Sequence, residues 1–220
     1  QLGGFTTGMT SQFNRYKASL GPGGQADSGA LYYVMGGAND MRDAFAANDV
    51  AAGMSAAIGN LKAIVTGLHD LGATNFFLPN LPDLGLTPEA RAVPDVIPGV
   101  LTFSAVASQT SVLFNQQLRA AYDDLRAQWT DEHFHYFDVM VVQQAITFGS
   151  PGNGFTNVTS PCVGTASCAT SLYFDTIHPT AAVHQILGNG MLAAVPEPQT
   201  MLMMAVGLLG LLGASRRRQI

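Results

Sequence analysis

The chain has 220 residues, only 11% of them charged, a net charge of −5, and a single basic cluster, Arg216, Arg217 and Arg218, at its very end. With no basic stripe elsewhere to neutralise phosphates, nucleic acid is excluded as a partner class. Two cysteines are too few for a disulfide-built scaffold, whereas residues 1–194 suffice for one domain with a sizeable core.

In chain order, the sequence opens at Gln1 with neither an initiator methionine nor a charged-then-apolar leader, and a chain trimmed at the front is expected. Residues 31–35 form an apolar, aromatic-rich run ending in Gly36-Gly37, which predicts a buried strand feeding a loop. Met54, Ile58, Leu61, Val65 and Leu68 recur at helical spacing and predict a helix over 50–71. Residues 75–78 read as the next strand, followed by the turn-rich Pro79-Asn80-Leu81-Pro82-Asp83. A long helix is expected over 101–129, a strand over 133–139 and a last helix over 179–193, with 148–171 as the one long irregular stretch. Strands alternating with helices imply an α/β fold, a parallel sheet covered on both faces, with chemistry beyond the carboxyl ends of the strands.

Two constellations fall at such ends. Gly36-Gly37-Ala38-Asn39-Asp40 follows the first strand; glycines permit a sharp turn, and the Asn39 amide is a neutral donor able to hold an oxyanion. The alternative is a turn in which Asp40 caps a helix starting at Met41. Phe174-Asp175-Thr176-Ile177-His178-Pro179-Thr180 precedes the last helix. A carboxylate three residues before a histidine can curl back to Nδ1–H and leave Nε2 free as a base, although a capping turn with an exposed histidine fits as well. Pro179 suits a first helical position, which would set His178 at a helix N-terminus and favour its neutral form.

Other candidates are weaker. His133 and His135, beside Asp131 and Glu132, would share a strand face without a third ligand placed by sequence, so no metal site is assigned. His69 suits the end of a helix, and His184 is read as packing or surface. Cys162 and Cys168 bracket a short Gly/Ser/Thr-rich loop and are expected to form a disulfide in an oxidising compartment.

Gly37-Ala38-Asn39-Asp40 resembles the Gly-x-Asn-Asp block of the SGNH, or GDSL, hydrolases, and Asp175-Thr176-Ile177-His178 resembles their C-terminal Asp-x-x-His block. The stretch 81–88 is similar to a loop of the lipase-like branch, and the resemblance spans about 31–192. It implies a three-layer α/β/α, flavodoxin-like fold, no metal, no cofactor, and a serine attacking a carboxylic ester. Small-molecule, lipid and acylated-carbohydrate esters are all compatible with it. By the same resemblance Asn39 donates to the oxyanion, His178 is the general base, Asp175 orients it, and Gly37 belongs to the matched loop. The family's nucleophile lies in a Gly-Asp-Ser block on a first strand, and no such block occurs here. Ser11, Ser19 and Ser28 lack that context, and Gly3 and Gly4 are not assigned as the second oxyanion donor. A base and an oxyanion donor without a nucleophile form no acyl-enzyme. The expectation is therefore a fragment lacking its first strand, inactive by itself, of a secreted esterase or lipase. The alternative is a non-catalytic exported surface or matrix protein that keeps the scaffold; acyl transfer would use the same residues.

The tail is a separate unit, 195–220. Pro196 and Pro198 flank Glu197 and break any arriving helix. The apolar run 201–214 has 14 residues, marginal for crossing a bilayer, and the three arginines after it would hold that end at the cytoplasmic face. A helix packed on the domain through Gly207, Gly210 and Gly213 is the alternative. The order Pro-Glu-Pro, apolar helix, basic cluster resembles the PEP-CTERM sorting signal of Gram-negative bacteria. It implies export, transient inner-membrane contact, an exosortase as processing partner, and release to the cell surface or extracellular matrix.

Overall fold

The computed structural model describes residues 8–129 and 132–195, so Pro196, Glu197, Pro198 and the three arginines lie outside the described residues. The elements run α1 (Met9–Ser19), β1 (Leu31–Tyr33), α2 (Ala38–Ala46), α3 (Val50–Asp70), β2 (Asn75–Pro79), a 3₁₀ turn (Leu84–Leu86), α4 (Pro88–Ala92), α5 (Phe103–Gln128), β3 (His133–Phe137), α6 (Val139–Phe148), β4 (Asn157–Pro161), β5 (Ser171–Tyr173) and α7 (Ala181–Ala194).

The main sheet has the order β1-β2-β3, all parallel, with Tyr32 opposite Phe76 and Phe76 opposite Phe134. Its period-two alternation sorts the side chains onto two faces. Phe76 and Leu78 join Leu61 and Val65 of α3 and Phe114 and Leu118 of α5 in the larger core. Phe77 points the other way and stacks on Tyr33 and Phe137, with ring centroids 5.9 and 6.2 Å apart. There α7 lies on β3, and a Cβ at Gly190 would come within 3.0 Å of the Phe137 ring. Both faces are thus covered by helices, which is the α/β architecture implied by the alternating pattern.

Among the described residues α3 is long and apolar enough to cross a membrane, but its apolar stripe from Met54 to Leu68 is buried in the protein core. Asp49 caps it by accepting from the Ala52 N–H. A smaller core joins α6, β5 and α7 through Ile146, Leu172, Tyr173 and Val183.

Several boundaries differ from expectation. The strand predicted over 133–139 stops at Phe137, because Asp138 caps α6 and Asn80 Oδ1 accepts from the N–H groups of Val139 and Met140. The stretch 148–171 is not wholly irregular: 157–161 forms β4, parallel to β5. The last helix begins at Ala181, not Pro179. Thr180 N–H donates to Leu172 O at 2.9 Å, its Oγ1 donates to Ser171 O, and Pro179 bridges Tyr173. These bonds keep 178–180 extended beside β5, so His178 is not at a helix N-terminus.

Candidate active site

A cleft of about 860 Å³ opens at the carboxyl end of the main sheet and is lined by α2, the loop after β2, α4, the start of α5, and the turn into α7. Its walls are mainly apolar, including Phe45, Leu84, Val93, Phe103 and Leu187, and its polar groups include Asn39, Arg42, Glu89, His178 and His184.

Asn39 is placed by an abrupt turn. Gly37, the residue before α2, has φ 103°, a left-handed conformation that side chains adopt at a cost. A Cβ there would also fall 2.4 Å from Phe114 Cζ. α2 starts at Ala38, with Met41 N–H donating to Gly37 O, so Asp40 lies in the first turn and is not the cap. Asn39 is exposed and faces the cleft, and its Oδ1 accepts from Arg42 Nη1 at 3.5 Å.

The histidine is placed by local bonds. Asp175 Oδ1 accepts from the N–H groups of Ile177 and His178 at 2.9 and 2.7 Å, and Oδ2 lies 2.7 Å from His178 Nδ1. Phe174 N–H donates to His178 O, closing the turn. The two backbone donors, His178's first, and then the imidazole hold the Asp175 carboxyl down to about 2. An ionised carboxylate on Nδ1 leaves Nε2 as the free ring nitrogen, and the His178 side chain is 67% exposed to the cleft. The 160s loop abuts this turn: Cys162 and Cys168 are disulfide-bonded, and Val163 N–H donates to Phe174 O at 2.8 Å.

Behind the cleft lies a buried polar network. Asp83, 3% exposed, accepts from Gly85 N–H, Ser108 Oγ and Gln144 Nε2. Its own N–H donates to Gln143 Oε1, and Gln143 Nε2 donates to Asp83 O and to the Tyr173 hydroxyl. Burial pushes the Tyr173 hydroxyl up to about 12, against the opposing pull of Gln143.

Among the described residues, no serine lines the cleft. Ser19 Oγ donates to Tyr16 O, and Ser28 O accepts from Thr74 and Asn75 at the opposite end of the sheet. His69 is also at that end, stacked 3.8 Å from Trp129 with Nε2 3.0 Å from Glu132. His133 and His135 gather no further ligand among the described residues, and burial with the nearby His133 lowers the pKa of His135.

Sequence reasoning missed Arg42, Glu89, Gln143, Tyr173 and His184 as cleft residues. Arg42 was readable, since it follows Asn39 by three on a helix and so shares its face. The others depend on pairings across the fold.

The GDSL-like Lipase/Acylhydrolase family model matches residues 3–191, and the PEP-CTERM protein-sorting motif matches residues 194–218. The chain is 24% identical to the GDSL esterase/lipase APG of Arabidopsis thaliana over 82% of its own length and 59% of the relative's. It is 27% identical to another GDSL esterase/lipase of the same plant over 60% and 41%. An uncharacterised protein from the trpE-trpG intergenic region of Pseudomonas putida is 28% identical over 81% and 31%. The chain therefore spans between 31% and 59% of the length of these relatives.

Proposed function

Because the chain belongs to the GDSL-like lipase/acylhydrolase family and ends in a PEP-CTERM sorting motif, we propose that residues 1–194 belong to the catalytic domain of an exported serine ester hydrolase, without its nucleophile block, and that 195–220 are its sorting tail. The observation that carries this reading is the 2.7 Å contact of Asp175 with His178 Nδ1 at the rim of the cleft that Asn39 also lines.

His178 Nε2 takes the proton of a serine hydroxyl as Oγ attacks the ester carbonyl, and Asp175 stabilises the imidazolium that forms. The developing oxyanion receives a hydrogen bond from Asn39 Nδ2. The imidazolium then protonates the leaving alkoxide as the C–O bond breaks, and water, activated by the same histidine, releases the acid. The serine is carried by a strand pairing with the outer edge of β1. That edge has no strand partner among the described residues, and Tyr33 near its carboxyl end is 52% exposed and lines the cleft. The substrate is a small-molecule, lipid or acylated-carbohydrate ester. The tail holds the protein briefly at the inner membrane until an exosortase-type enzyme releases it to the surface or matrix.

The test is hydrolysis of p-nitrophenyl butyrate by the polypeptide that includes any residues encoded before Gln1, with and without a serine-directed phosphonate. Phosphonate-sensitive turnover is expected, and Asn39→Ala should lower kcat by about a hundredfold or more. A second reading is a non-catalytic exported scaffold that keeps the fold. A polypeptide that neither hydrolyses the ester nor reacts with the phosphonate supports that reading instead.

A further inference from the structure

Arg42 and Glu89 are the charged pair of the cleft, and the proposed chemistry uses neither. The guanidinium meets the Glu89 carboxylate as a fork, Nε to Oε2 at 2.7 Å and Nη2 to Oε1 at 2.6 Å. Its remaining terminal nitrogen, Nη1, points at Asn39 Oδ1 at 3.5 Å. Glu89 also reaches the base, since its backbone N–H donates to Thr176 O at 2.9 Å, inside the Asp175–His178 turn. A single chain of contacts thus runs from the oxyanion donor through Arg42 and Glu89 to the loop that carries the histidine.

We propose that Arg42 and Glu89 are positioning residues, Arg42 fixing which way the Asn39 amide faces and Glu89 fixing Arg42 against both halves of the site. The proposal rests on Asn39 acting as the oxyanion donor. The chemistry of the groups dictates the direction. Arginine has donors only, so the amide must turn its oxygen toward Arg42, leaving both Nδ2 hydrogens free for the cleft. A flipped amide would present oxygen to a developing negative charge and would repel it. The contact to Asn39 is long, so a free arginine side chain would hold it weakly. The bidentate carboxylate contact confines the guanidinium and makes the long contact directional. The pair's side chains are 42% and 39% exposed, and ion pairs so placed add little to stability. Their removal is therefore expected to alter orientation while leaving the fold intact.

Arg42→Met and Glu89→Gln are introduced into the full-length protein, each alone and in an Asn39→Ala background. In the single variants kcat falls by about tenfold to a hundredfold, with KM and Tm near wild type. In the Asn39→Ala background neither substitution lowers kcat further, because the group they orient is gone. A second readout needs no catalysis: ¹⁵N relaxation of the Asn39 side-chain amide should show lower order in Arg42→Met and in Glu89→Gln, and no change in Lys62→Met, which removes the exposed Lys62–Asp124 pair between α3 and α5, 3.8 Å apart and not at the cleft. Losses that multiply in the double variants, or Asn39 amide order unchanged by Arg42→Met, overturn the proposal. Wild-type activity in Asn39→Ala instead strikes the role of Asn39 in the proposed function and the catalytic part of this assignment with it, whereas unchanged relaxation strikes the clamp alone.

Discussion

Asp175 and Asp83 are both carboxylates of the cleft region, held in opposite ways. Asp175 is 37% exposed, and its partners lie two and three positions away along the chain. Asp83 is 3% exposed, and besides Gly85 its carboxylate depends on Ser108 and Gln144, 25 and 61 positions away. The first arrangement assembles as one short turn and, in the proposed function, serves chemistry at the surface. The second forms only when α5 and α6 have docked, and it serves the scaffold. On the proposed function, polar residues of the same type divide between function and stability according to where their partners come from, and substitutions should separate the two.

The largest effect is expected on the exposed turn. On the proposed function, His178→Ala in the full-length protein should lower kcat/KM by about 10⁴-fold or more while shifting unfolding free energy by no more than about 0.5 kcal/mol. Ester turnover and urea unfolding of the same preparation check both halves. A large loss of stability would erase the contrast with Asp83.

Asp83→Ala should do the reverse. It leaves the half-buried Ser108 hydroxyl and Gln144 amide without their acceptor and is expected to cost about 2 kcal/mol of stability. Its effect on kcat should follow only from the unfolded fraction, which activity measured well below the lowered Tm will show. Breaking the disulfide by Cys162→Ala and Cys168→Ala together falls next. The bond closes a loop of sequence separation 6 beside the Phe174–His178 turn, and a loop of that length is worth about 2 kcal/mol.

The same division explains what the sequence made legible. Asp175 and His178 could be paired from their spacing alone, and the helical stripe of α3 from its own periodicity, because both are local. The start of α7 was misplaced by two residues because the bonds that hold 178–180 extended come from Ser171 and Leu172 of β5. The strand expected to run to Val139 stops short for a similar reason, since Val139 and Val141 favour strand in isolation while Asn80 supplies acceptors for the helix start. Glu89 carried no sequence signal, since its partner Arg42 is 47 positions away. The Asp83 network was equally hidden, because Gln143 and Ser108 look like surface residues until the helices that carry them are docked.

The smallest effect, and the finest test of the comparison, is the pH at which each region weakens. The folded value of Asp175, about 2, lies below its ordinary 3.8, so the native state binds fewer protons than the unfolded chain in that interval. The stabilisation it gives is complete above about pH 4 and is lost as pH falls toward 2. Tyr173 behaves oppositely. Its folded value, about 12, lies above the ordinary 10.0, so its contribution is intact below 10 and lost as pH rises from 10 to 12. Tyr32 and Tyr136, also pushed up to about 12, add to the same alkaline loss. Urea unfolding across pH should therefore show Asp175→Asn flattening the acid limb without touching the alkaline one, and Tyr173→Phe lessening the alkaline limb alone. If both substitutions moved the same limb, the exposed turn and the buried network would be one cooperative polar cluster, and the distinction drawn between Asp175 and Asp83 would fall.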